Sequence, residues 1–148
     1  SDPALRDRTL TVLMRSGFYF HLAIAVAVAL LAQPLVDLLY GDAFDEAVLA
    51  LRIQVLAAPF VALGVLSSSW FVLERRTGHA LRRTMIGAVL NVVLNLFTIP
   101  RYGIAGAAIS TLVAQVTATY LADLLHPHTR ALFRLKTHAF LPRIGGKS

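Results

Sequence analysis

The chain contains no cysteine, which excludes disulfides and thiolate metal sites and leaves the compartment undecided. Charge is nearly as scarce. Only 15% of residues are Asp, Glu, Lys or Arg, against 57% hydrophobic, and mean hydropathy is +0.67. A soluble helical domain of 148 residues keeps its outer face hydrated with charge on every turn. Four stretches here carry none at all: 18–36, 53–73, 85–100 and 103–122. At 1.5 Å per residue, such runs approach or reach the roughly 20 residues that cross about 30 Å of hydrocarbon. The composition predicts an all-α integral membrane protein.

Catalytic constellations are missing too. There is no His-Glu-x-x-His, no aspartate pair within an apolar run, and no serine with His and Asp at a matching depth. Gly103-x-x-Gly106 follows no strand, so it is not a phosphate loop. His126, His128 and His138 have no acid or cysteine beside them to complete a metal site. Neither enzyme activity nor a cofactor or metal is expected. The first apolar run lacks a small-residue cleavage site and leads into an acidic loop, unlike a signal peptide.

What charge there is sorts by alternate segments. Arg6, Arg8 and Arg15 precede the first run, and Arg75, Arg76, Arg82 and Arg83 lie between the second and third. Arg130, Arg134, Lys136, Arg143 and Lys147 follow the fourth. Those segments hold 12 of the 14 basic residues, whereas Asp37 to Glu46 holds four acids and no base. A basic surface for nucleic acid would not alternate in this way, so the net charge of +6 does not point there. The positive-inside rule instead predicts a multi-pass protein of the plasma membrane with both ends of the chain cytoplasmic. The expected layout is a cytoplasmic amphipathic lead over 1–16, then four antiparallel spans at about 17–40, 48–73, 81–99 and 103–125. A basic cytoplasmic tail over 126–148, with an interfacial helix, completes it.

Several residues inside those spans are candidates for function. Gly87, Asn91 and Asn95 fall at i, i+4 and i+8, on one face of the third span. They can line a water-filled cavity or hold neighbouring helices together. Gly103, Ala107, Ser110, Ala114 and Ala118 form a small-residue stripe for close helix packing, with Gln115 and Thr119 beside it. Arg52 can clamp a phosphate or snorkel to Asp45 or Glu46. Asp45 is expected to cap the second span and Asp123 to face Arg82, Arg83 or water. Ser67, Ser68 and Ser69 are expected to bond back to their own helix. Pro34 is expected to bend or end the first span, and Pro100 with Gly103 to close the third.

The stretch GAVLNVVLNLFTIPRYGIAGAAISTLVAQ, Gly87 to Gln115, resembles the signature of the polysaccharide-biosynthesis flippases. These are the O-antigen and capsule exporters of the multidrug/oligosaccharidyl-lipid/polysaccharide superfamily. Its Asn-x-x-x-Asn, Ile-Pro-x-Tyr-Gly and Gly-Ala-Ala elements fall on Asn91, Asn95, Pro100, Tyr102, Gly103, Gly106, Ala107 and Ala108. LAQPLVDLLYGDAF and ALRIQVLA are similar to that family's preceding loop and its entry into the next span. The resemblance implies the C-terminal part of a larger helical bundle in the bacterial inner membrane, its N-terminal spans lying outside this chain. It further implies that the protein moves a polyprenyl-diphosphate-linked oligosaccharide, its partner among the membrane lipids, from the cytoplasmic to the outer leaflet. Asn91, Asn95, Gln115 and Arg52 are then the cavity candidates, and Pro100, Tyr102 and Gly103 make the outer turn. A lipid II flippase, a multidrug exporter of the same superfamily, and a scaffold subunit that moves nothing remain alternatives. A missing partner half should leave the Gly87/Asn91/Asn95 face or the small-residue stripe exposed in this chain alone.

Overall fold

The computed structural model describes residues 3–73, 77–124 and 129–140, which are helical almost throughout, with no strand among them. The helices are α1 (Pro3–Tyr40), α2 (Asp45–Val55), α3 (Ala58–Leu73), α4 (Thr77–Thr119) and α5 (Arg130–Phe140). Short 3-10 turns stand at Asp42–Phe44 and Leu121–Leu124. Three helical runs are long and apolar enough to cross a membrane: Asp7–Tyr40, Asp45–Val72 and Gly78–Leu124. The predicted lead and first span form one unbroken helix. It carries on through Pro34 to Tyr40 and forgoes only the hydrogen bond that a proline cannot donate.

The acidic end of the molecule is a tight reversal. Gly41, at φ 78°, donates its N–H to the Asp37 carbonyl and ends α1. Asp45 does not cap the next helix. The N-cap position belongs to Phe44, without a side-chain bond, and Asp45 accepts instead from Gln33 at 3.1 Å. The second apolar run is interrupted at Leu56–Ala57, whose N–H groups reach back to Ile53 and Gln54. Pro59 sits two residues beyond, in the first turn of α3, where a missing N–H costs nothing.

The expected turn between the last two apolar runs falls within α4, at Gly103 (φ 56°, ψ −135°), a backbone state that favours glycine. Helical geometry carries on through Pro100, Arg101 and Tyr102 up to it. There α4 doubles back. Asn91 reaches Thr111, and Thr98 reaches both Gly106 and Ser110. Those pairs converge on one reversal point, so the two arms run antiparallel. A Cβ on Gly87 would stand 2.7 Å from that of Ala118, and one on Gly106 would strike the Thr98 carbonyl. Only glycine lets the arms approach this closely.

Packing outside the hairpin is concentrated at two ends. At the basic end Leu10 and Met14 of α1, Leu63, Trp70 and Phe71 of α3, and Leu132 of α5 form one buried cluster. At the acidic end Ala32 and Val36 of α1 meet Val48 of α2. Much of the remaining apolar surface is outward, including Leu30, Leu38, Val89, Leu96 and Phe97. Such a surface is at home in hydrocarbon and would be insoluble in water.

Gly103→Ala is expected to destabilise the hairpin by about 1–3 kcal/mol, because it forces a side chain into a left-handed backbone state. Gly78→Ala, where a Cβ meets nothing within 4 Å, should be neutral. Thermal unfolding of the two variants in detergent measures the difference.

Candidate functional site

Between α3 and the α4 hairpin lies a groove of about 380 Å³ that brings Ser68, Arg83, Thr84, Asn91, Gln115 and Thr119 together in an otherwise apolar lining. Its walls are built from residues one helical turn apart, which places each set on one face. Gly64 and Ser68 come from α3, Arg83, Gly87 and Asn91 from the first arm, and Gln115 and Thr119 from the second. The hydroxyls commit their protons locally: Ser68 to the Gly64 carbonyl at 2.9 Å and Thr119 to that of Gln115 at 2.6 Å. Neither hydroxyl has a proton left to give, and the Thr119 methyl lies against Gly64, so donors to the groove come from amides and from Arg83.

The sequence candidates divide between groove and packing. Asn91 lines the groove and also donates to Thr111 at 3.3 Å, while accepting from Asn95 at 2.9 Å. Asn95 lies toward the turn, half-buried, with its own Oδ1 unpaired. Gln115 lines the groove. The small-residue stripe is covered from within the chain: Gly106, Ser110, Ala114 and Ala118 are buried, Ala107 is half-buried, and Gly103 at the turn is exposed. One expected face is thus closed, and the asparagine face is half open.

Arg52 belongs to neither place. It is exposed and donates from Nε to the Ala29 carbonyl at 3.2 Å, tying α2 to α1. The expected pairing with Asp45 or Glu46 is replaced by this backbone contact. Ser67 and Ser68 bond back to Leu63 and Gly64 as their spacing predicts. Arg75, Arg76, His126, His128, Arg143 and Lys147 lie outside the described residues.

A second groove, of about 640 Å³, opens where α2 gives way to α3 opposite α1. Gln54 and His21 are the large polar groups on its walls. His21 faces the Gly17 carbonyl through Nδ1 at 2.8 Å. A carbonyl only accepts, so that nitrogen carries the proton.

At the basic end stands a charge cluster. Asp123, on the 3-10 turn after α4, pairs with Lys136 of α5 at 2.6 Å, and both are almost wholly buried. The expectation was Arg82, Arg83 or water: Asp123 does border one small gap with Arg82 and Arg83, but its ion pair is with Lys136 of the tail helix. Lys136 also donates to the Thr119 carbonyl, and Thr129 to the Asp123 carbonyl. Burial lowers the Lys136 amine to about 8, against the pull of Asp123. Arg83 is 7% exposed; its Nη2 donates to the Gly64 carbonyl at 3.1 Å and its guanidinium lies 5.2 Å over the Phe71 ring. A signal for Lys136 is present in the sequence. It stands one turn after Leu132, on the apolar face of α5, where a solvated charge does not belong.

A lysine held at about 8 when docked, against 10.5 when free, binds fewer protons docked than undocked between those values. Docking of α5 therefore strengthens as pH rises through that window. Spin labels at Ile24→Cys and Arg134→Cys, in a chain with no cysteine of its own, should show the docked distance gaining population from pH 7.5 to about 10.

No protein-family model, no curated protein and no solved structure matches this chain. Its functional reading rests on its own side chains.

Proposed function

We propose that the chain is the C-terminal, four-crossing part of a flippase for polyprenyl-diphosphate-linked oligosaccharides, with the α4 hairpin supplying its last two crossings. The observation that carries this reading is the polar groove. An apolar molecule has gathered Ser68, Arg83, Asn91, Gln115 and Thr119 around one cleft of about 380 Å³. A sugar with two phosphates cannot enter hydrocarbon with its hydroxyls and charges unpartnered, since each lost partner costs several kcal/mol. A cleft of acceptors, amides and one cation replaces that hydration, while the polyprenyl tail stays among the lipids. The Asn-x-x-x-Asn and Pro-x-Tyr-Gly resemblance over residues 91–103 points the same way. In this reading the basic end is cytoplasmic, the membrane is the bacterial inner membrane, and further spans complete the pathway. Alternating access then comes from rocking of this part against its counterpart.

Arg52 has no place in the proposed cavity, and Asn95 serves the hairpin turn more than the cleft. The cavity set becomes Asn91, Gln115 and Arg83. A second reading, a scaffold subunit that transports nothing, is favoured by one observation: Asn91 already has a packing partner in Thr111.

Export complementation in the full-length parent separates the two. Gln115→Leu and Asn91→Leu are each expected to reduce surface polysaccharide severely while the membrane keeps its normal amount of protein. Asn95→Leu should mainly lower protein level, through loss of a contact worth about 0.6–2 kcal/mol. Normal export with Gln115→Leu and Asn91→Leu at normal protein level would favour the scaffold.

A further inference from the structure

The second groove lies where the second apolar run loses its helix. Its far wall runs from Leu66 of α3 back to Gln54 of α2. At 1.5 Å per residue that is about 18 Å, more than half the roughly 30 Å of a hydrocarbon core. Helix α1 forms the near wall and runs antiparallel to it: Phe18 meets Phe60 edge to face, and Arg52 reaches the Ala29 carbonyl. Leu13 and Ser16, beside Arg15, therefore mark the basic end of the groove, and the break at Leu56–Ala57 marks its inner end.

The break leaves a backbone group to be answered. Of the two residues that would bond the Leu56 carbonyl in a helical turn, Pro59 has no N–H and Phe60 donates to Ala57. Irregular backbone at this depth persists only inside protein or beside water. Gln54, Ala57 and Ala58, on either side of the break, line the groove. Gln54 is exposed, and its side-chain amide offers donors and an acceptor. His21 commits its Nδ1 proton to the Gly17 carbonyl, which leaves Nε2 as an acceptor. A lipid chain filling the groove answers neither side chain, whereas water answers both.

No wall residue other than His21 is titratable. The nearest charge along α1 is Arg15; on α2 it is Arg52, held at the Ala29 carbonyl; α3 carries none. Helix α5 packs lower on α1, through Leu132 against Leu10 and Met14, and brings Arg130, Arg134 and Lys136 to that end. With no carboxylate in the walls to take it, a proton entering the groove has the imidazole as its acceptor.

We propose that this groove is a hydrated half-channel, open to water at the basic end and ending near the helix break, with His21 as its proton-binding site. Water carries the proton past Ser16 to Nε2. The imidazolium then donates from both nitrogens, one to the Gly17 carbonyl and one to groove water, which the Gln54 amide also bonds. The proton leaves by the same route when the pH rises. Charge thereby appears and disappears within a span, beside the joint between α2 and α3, under control of the aqueous phase at the basic end. The site stands on the groove and the break alone and does not require that the other cleft carry oligosaccharide.

Two measurements on the full-length protein test this. The first places single cysteines, with all others removed, in vesicles that present the basic end to a membrane-impermeant methanethiosulfonate. Ala58 is half-buried but lines the groove; Ile24, at a similar height on α1, is 44% exposed and lies outside it. Ala58→Cys is expected to react about tenfold faster than the more exposed Ile24→Cys, because a thiol ionises only where water reaches it. The second reads the imidazole nitrogens of histidine-labelled protein in nanodiscs by NMR, with His21→Gln identifying the His21 signal. Nε2 is expected to pass from bare to protonated as the pH falls from about 8 to about 5. Equal or slower labelling at Ala58→Cys, as when a lipid chain or a partner helix fills the groove, would overturn the proposal. So would a His21 signal that stays unprotonated throughout. The spectrum needs no substitution at the break, so it decides the matter even where Ala58→Cys does not fold. Neither readout is export, so either failure is distinct from failure of the transport reading.

Discussion

The close approach of the two arms of α4 is the constraint around which the rest of the chain is arranged. Among lipids no hydrophobic force drives helices together, so association depends on dispersion contacts and on polar bonds that need short distances. Gly87 against Ala118 and Gly106 against the Thr98 carbonyl supply that distance. Thr98 with Ser110 at 2.7 Å, and Asn91 with Thr111, supply the bonds. With the arms this tight, the space left for larger polar groups lies on their α3 side. The groove is the remainder of that packing solution, and its position follows from where glycine permits contact.

Polar side chains in this chain follow one pattern. Most hydroxyls donate to a carbonyl four residues back, which silences a donor at no cost in helix length. Asn91 bonds across the hairpin to Thr111, and Asn95 bonds back to Asn91. Two identical side chains then show how depth decides meaning: Arg52 is exposed and ties one backbone carbonyl, whereas Arg83 is buried with a nitrogen to spare. The distinction is one of environment, and residue type alone does not carry it.

Much of the architecture is legible in the sequence because hydrocarbon imposes coarse rules. Uncharged runs announce the long apolar helices, and glycine beyond a proline announces the reversal at 100–103. The back-bonding serines follow from the same local chemistry. Other features turn on distance in space. A shared end of the molecule puts Asp123 near Arg82 and Arg83, yet Lys136 arrives from a helix whose docking no periodicity specifies. Sequence proximity suggests an acidic partner for Arg52, and α1 takes that role through a carbonyl 23 residues away. The break at Leu56–Ala57 hides inside an unbroken apolar run. The candidate site is half legible: Asn91 and Gln115 fall on the groove, while the basic run around Arg83 reads as a loop and conceals it.

The unbroken course of α1 has a mechanical consequence. Its 38 residues make a rod of about 57 Å, nearly twice the roughly 30 Å of a hydrocarbon core. One end is bonded to the acidic turn and α2; the other, through Leu10 and Met14, is packed with Leu132 of α5. A rod gripped at both ends turns tilt into displacement. A lean of a few degrees at the acidic end arrives at the basic end as a shift of several ångströms. A tilt of α1 among the spans would be felt at the seat of α5, at the far side of the molecule, through Leu10 and Met14.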